Sequence, residues 1–87
     1  PAAGLAAANA RTTLVILIET AEGVANVEAI AAVPGVDLLW IGHFDLSTSL
    51  GIPGEFDHPR FRAATGRVVA AARANGLGLG RLVSSAA

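Results

Sequence analysis

The sequence predicts an α/β fold, a parallel β-sheet carrying helices. Three observations point there. Apolar runs of strand length cover residues 13–18, 37–42 and 77–83, and their lack of clean alternation suits strands buried on both faces. Between them lie two stretches with apolar residues at helical spacing. The order is therefore strand, helix, strand, helix, strand, and right-handed crossovers of that kind give a parallel sheet with helices outside.

Residues 1–10 are Ala-rich, with Pro1 and Gly4 as early breakers, and read as the tail of a helix over 5–10 or as an irregular end. The first strand follows, and Glu19 stands at its C-terminal end. A helix is expected over residues 22–33. Thr20 is its candidate N-cap, Glu22 sits in the first turn, and Val24, Val27, Ile30 and Ala31 share a face. Pro34-Gly35 ends it. The second strand, with Trp40 as a core residue at its middle, runs to Gly42. Residues 43–58 read as a long loop with one helical turn near 46–50, and a loop of that length is commonly functional. Asp57 or His58 caps the next helix, Pro59 enters its first turn, and Phe61, Ala64, Val68 and Ala72 line one face. Asn75-Gly76 stops it. The third strand is weakened by Gly78 and Gly80.

Composition bounds the rest. Of 87 residues 53% are apolar, but 19 are Ala, so an independent core would be thin. Charged residues make up 15%, low for a soluble domain. Such a chain is expected to be a segment of something larger, incomplete at both ends across 1–87. The absence of Cys rules out a disulfide scaffold, a thiolate zinc site and a Cys nucleophile. A net charge of −1 and the lack of any Lys argue against a nucleic-acid partner. No apolar run reaches the length of a membrane span, no signal peptide is read, and a cytoplasmic location is expected. The hydrophobicity is too high for disorder.

The pair with chemical content is Glu19 and Asp45, 26 residues apart and each at or just beyond a strand's C-terminal end. Adjacent strands lie about 4.8 Å apart, so the two side chains are able to converge on the rim where parallel α/β folds bind ligands. Converging carboxylates suit a hard divalent cation, Mg²⁺ or Mn²⁺. An acidic residue after a strand often simply caps the next helix or a turn, and that is the alternative at either position. Asp37 reads as a turn residue, Glu22, Glu28, Glu55 and Asp57 as solvated or capping, and His58 as a helix start. His43, two residues before Asp45, is the histidine nearer the site. Gly42 permits close backbone approach, and amides at Phe44 and Asp45 would be free to bind an anion such as a carboxylate.

The stretches LIETAEGVANVEAIAAVPGVDLLWIGHFDLSTSLGIPG and FDHPRFRAATGRVVAAARANGLGLG resemble the HpcH/HpaI aldolase family. These are class II, metal-dependent, pyruvate-forming aldolases, including 4-hydroxy-2-oxoheptanedioate and 2-dehydro-3-deoxyglucarate aldolases. The most specific parts are Ile18-Glu19-Thr20 and the G-x-x-D-L-S-x-S-L-G of residues 42–51. The resemblance implies a TIM (β/α)₈ barrel, of which this chain forms about strands five to seven. It implies that Glu19 and Asp45 hold Mg²⁺, Mn²⁺ or Co²⁺. It further implies that the backbone at Phe44 and Asp45 meets the pyruvate carboxylate and that Leu82 lines the substrate pocket. The partners implied are a small 2-oxo acid and an aldehyde, in a homo-oligomeric parent.

No catalytic residue is assigned within the chain. The family's base His and its enolate-steadying Arg belong to earlier barrel strands, and neither His43 nor His58 matches the base. His43 and Phe44 stand where many members have Pro and a small residue, which bears on the acceptor aldehyde. The expected reaction is cleavage of a 4-hydroxy-2-oxo acid to pyruvate and an aldehyde, with the fragment alone inactive. A citrate-lyase-beta or malyl-CoA-lyase type C–C lyase shares the same carboxylate pair, and a non-catalytic truncated barrel is the alternative outside enzymes.

Overall fold

The computed structural model describes residues 13–82. The helical tail expected over 5–10, and Val83 at the end of the third strand, lie outside them. Strands β1 (Val15–Ile18), β2 (Leu38–Gly42) and β3 (Gly78–Leu82) form one sheet in the order β1-β2-β3. Both pairings are parallel, with Leu17 opposite Trp40 and Trp40 opposite Gly80. Helices α1 (Ala21–Ala25), α2 (Val27–Ala31), α3 (His43–Ser49) and α4 (Pro59–Ala74) fill the connections.

The helix expected over residues 22–33 is two helices that meet at Asn26. There φ of −104° and ψ of 8° depart from helical values. The Asn26 side-chain amide donates to the Glu22 carbonyl at 3.0 Å, beside its own backbone N–H at 3.1 Å. Such competition between an Asn side chain and the backbone is what disfavours Asn inside helices. The apolar face survives the break, since Val24, Val27 and Ala31 are all buried. Thr20 is the N-cap of α1, its Oγ1 accepting from the Gly23 amide at 2.9 Å.

The cap of α4 falls to His58 rather than Asp57. Its Nδ1 accepts from the Arg60 amide at 3.0 Å, and Pro59 takes the first helical position, where no N–H is needed. Phe61, Ala64, Val68, Ala71 and Ala72 form the buried stripe. After Asn75, Gly76 turns the chain out of the helix at φ 66°, a value that Gly adopts without steric cost. Arg67 ties α4 to the preceding helices. Its Nε and one terminal nitrogen donate to the two Glu28 carboxylate oxygens at 2.7 and 2.8 Å, and the same terminal nitrogen reaches the Ala25 carbonyl at 3.0 Å.

The core joins one face of the sheet to the helices. Ile18, Leu39 and Ile41 pack with Val24, Val27, Ala31, Leu46, Phe61 and Val68. Two-sided burial of the strands, expected from their composition, is not found among the described residues. Side chains alternate across a strand, and the face opposite the helices carries exposed Val15 and Leu17 beside half-buried Leu38 and Trp40. Trp40 is therefore on the open face rather than in the core. Its ring lies over Gly80: a Cβ there would sit 2.7 Å from Cε3 of Trp40, and a Cβ at Gly78 would sit 2.8 Å from Cδ1 of Leu38. The two glycines do more than weaken β3; they make room for the large residues of β2.

At the N-terminal edge of the sheet, Asp37 gathers the strand starts. Its Oδ2 accepts from the Leu14 amide at 2.9 Å, its N–H donates to the Leu14 carbonyl at 3.0 Å, and its carbonyl accepts from the Gly78 amide at 3.0 Å. At the opposite edge, residues 43–58 are more ordered than the expected loop. Helix α3 begins at His43, directly after β2, and makes two turns instead of one turn near 46–50.

Candidate functional site

All the residues singled out for chemistry follow or end strands on the C-terminal edge. Glu19 comes directly after β1, Asp45 is the third residue of α3 after β2, and Leu82 ends β3 in register with Gly42. Glu19 is half-buried and Asp45 exposed. The Glu19 side chain lies against Gly42. A Cβ built on that glycine would sit 3.2 Å from Cβ of Glu19 and 3.4 Å from its Oε1. The carboxylate of β1 is thus seated at the point where β2 passes into α3. Gly42 is the N-cap of α3, in extended backbone with φ −86° and ψ 93°. Asp45 belongs to the first turn, where backbone amides lack intrahelical acceptors and a negative charge is favoured.

Among the described residues, neither the Glu19 nor the Asp45 carboxylate has a hydrogen-bond or ion-pair partner. Nor do three or more His, Asp or Glu side chains cluster closely enough to enclose a metal. The donor set is therefore two free carboxylates on one edge. That chemistry fits Mg²⁺ or Mn²⁺, which keep several waters and use one or two carboxylates together with substrate oxygens. Capping does not explain Glu19: the α1 cap is Thr20.

The serines of the same motif, which sequence reasoning passed over, tie α3 to its surroundings, Ser47 to the following loop and Ser49 to the Glu19 segment. Ser47 is completely buried. Its hydroxyl donates to the Phe44 carbonyl at 2.8 Å and accepts from the Gly54 amide at 2.9 Å, folding the loop back under α3. Ser49 accepts from the Ala21 amide at 2.8 Å. One of the Arg60 terminal nitrogens donates to the Leu50 carbonyl at the end of α3, at 2.6 Å. The motif spacing displays both serines, but nothing in it shows which backbone groups they meet.

His43 belongs to an aromatic cluster. Its ring packs on Phe61 at 5.4 Å and on Phe56 at 5.8 Å between centroids, and those two rings lie 5.3 Å apart. Phe44 is half exposed, with its ring edge 4.0 Å from where a Cβ at Gly54 would lie.

The sequence model of the HpcH/HpaI aldolase/citrate lyase family matches residues 1–87. The chain belongs to the HpcH/HpaI aldolase/citrate lyase family. A 4-hydroxy-4-methyl-2-oxoglutarate aldolase of Chaetomium globosum is 46% identical over 71 residues, covering 82% of this chain and 26% of that protein. A hydroxypyruvate/pyruvate aldolase of Paraburkholderia phytofirmans is 45% identical over 73 residues, covering 84% and 28%. Among solved structures, an HpcH/HpaI aldolase/citrate lyase family protein from Burkholderia cenocepacia superposes with a TM-score of 0.83 at 42% identity. That match covers 91% of this chain and 31% of the other. This HpcH/HpaI chain thus spans about a quarter to a third of the proteins it resembles. Among the described residues, no helix is long and apolar enough to cross a membrane.

Proposed function

We propose that these residues carry the metal-holding carboxylates of an aldolase that cleaves 4-hydroxy-2-oxo acids to pyruvate and an aldehyde. The observation that carries the reading is the seating of the Glu19 carboxylate on Gly42, on the same strand edge as Asp45, with both groups unpartnered among the described residues. The aldolase relatives support the reaction class. Glu19 and Asp45 would hold a divalent cation, Mg²⁺, Mn²⁺ or Co²⁺. Such a cation supplies Lewis-acid stabilisation of the negative charge that develops as the C–C bond breaks.

In this reading the Phe44 and Asp45 amides orient the carboxylate of the oxo acid, and Leu82 lines the pocket. The three strands are about strands five to seven of a (β/α)₈ barrel, and the open face bearing Leu17 and Trp40 is the one that the remaining strands close. The base and the enolate-steadying Arg come from those strands. His43 and His58 are otherwise engaged, one against aromatic rings and one as a cap. The whole protein is read as a cytoplasmic homo-oligomer acting on small molecules.

The test is a calorimetric titration of the intact protein with Mn²⁺, together with an assay for pyruvate release. Glu19→Gln and Asp45→Asn should each abolish both metal binding and turnover. Unchanged affinity in both variants would end the metal assignment. Because the family also includes citrate lyases, cleavage of a CoA thioester but of no 4-hydroxy-2-oxo acid would transfer the site to that branch. The isolated 87-residue chain is expected to release no pyruvate.

A further inference from the structure

We propose that Ser49 is a positioning residue that sets the separation of the two carboxylates; this rests on the reading of Glu19 and Asp45 as metal-holding groups. The two acids arise from different connections, one after β1 and one after β2. Glu19 touches Gly42 at the start of α3. At the other end of α3, the Ser49 hydroxyl accepts from the Ala21 amide at 2.8 Å, across 28 residues of sequence. Ala21 is two residues beyond Glu19, and Ser49 is four residues beyond Asp45, about one helical turn. The helix therefore meets the Glu19 segment at both ends, packed against it at Gly42 and hydrogen-bonded to it at Ser49, and Asp45 lies between the two contacts.

The Ala21 amide is the first N–H of α1, a group with no acceptor inside its own helix. Ser49 is exposed, so its hydroxyl is not needed to fill space in the core. Removing it would free α3 to pivot about Gly42, and the separation of the carboxylates would no longer be held. A cation that needs near-ideal octahedral geometry is sensitive to such a loss.

The experiment titrates the intact protein with Mn²⁺ alone and records the unfolding temperature of each variant. Ser49→Ala is expected to weaken Mn²⁺ binding by about tenfold, the lower end for residues that orient metal ligands from outside, with little change in unfolding temperature. Ser49→Thr, which keeps the hydroxyl at an exposed position, should restore wild-type affinity. Ser49→Cys keeps the volume but offers only a weak acceptor, and should show the loss even if the Ala variant folds poorly. Wild-type affinity in Ser49→Ala or Ser49→Cys, while Glu19→Gln loses the metal, would overturn the role of Ser49 and leave the metal assignment standing. Wild-type affinity in Glu19→Gln would overturn both. Equal losses in the Ala and Thr variants would show that the hydroxyl is not what matters, which also overturns the proposal.

Discussion

A side chain on Gly42 would press on Glu19, its Cβ lying 3.2 Å from Cβ and 3.4 Å from Oε1 of that residue. The glycine has a negative φ of −86°, so alanine adopts the same backbone without strain. Its methyl group would crowd Glu19 first, at Cβ and then at the carboxylate, with Leu17 Cδ1 in ordinary contact at 3.7 Å. Gly42→Ala should therefore keep the fold and weaken Mn²⁺ binding, by about tenfold on the scale of disturbed ligand orientation. A calorimetric titration beside a melting curve separates the two effects; intact affinity would mean that the Glu19 position is not critical.

Trp40 and Gly80 offer a test of the open sheet face. A methyl group at Gly80 would lie 2.7 and 3.0 Å from two carbons of the indole ring, which must move. Gly80→Ala is expected to cost about 1–3 kcal/mol, the usual scale of overpacking. Trp40 is the single Trp of the sequence, so its fluorescence reports the displacement directly. An unchanged spectrum and melting temperature would contradict the packing described.

The ion pair of Arg67 and Glu28 predicts a pH dependence. The hydrogen bond from Arg67 is the main cause that holds the Glu28 carboxyl below its ordinary value. A depressed carboxylate stabilises the fold above its unfolded range, about 4.3, and that contribution is lost as pH falls through the lowered folded value. At neutral pH, Glu28→Gln should melt slightly below the wild type, by the small amount usual for exposed pairs. The two melting curves should converge in acid. Salt should narrow the gap as well. A difference that persists at acid pH would assign the effect to something other than this charge.

The ring of His43 packs against both Phe56 and Phe61, which also touch each other. Replacement by Phe should therefore preserve turnover within about threefold, since removal of a working general base costs about 100-fold or more. The pyruvate assay decides, and a loss on that larger scale would make His43 part of the chemistry.

The order of elements is legible because punctuation surrounds each apolar run. Pro34-Gly35, His58-Pro59 and Asn75-Gly76 mark boundaries that the backbone obeys. The start of α3 is less legible: Gly42 caps it with no side-chain hydrogen bond, so the helix borrows its beginning from the strand before it. The break at Asn26 is a contest between side chain and backbone that a periodic apolar face conceals. Strand composition shows that two faces are apolar, but not which partner covers each. At the site, the carboxylates stand out by their place after apolar runs. The partner of Ser49 does not, because a bond to a backbone amide 28 residues away leaves no trace in composition or spacing.

Asp37 fastens the strand starts on one edge, while Glu19, Gly42 and Asp45 occupy the other. This separation has a consequence for redesign. Residues 50–57 could be exchanged without touching the clasp that aligns the sheet. The two edges are thus editable independently, provided that any new loop offers Ser47 a backbone amide as Gly54 does.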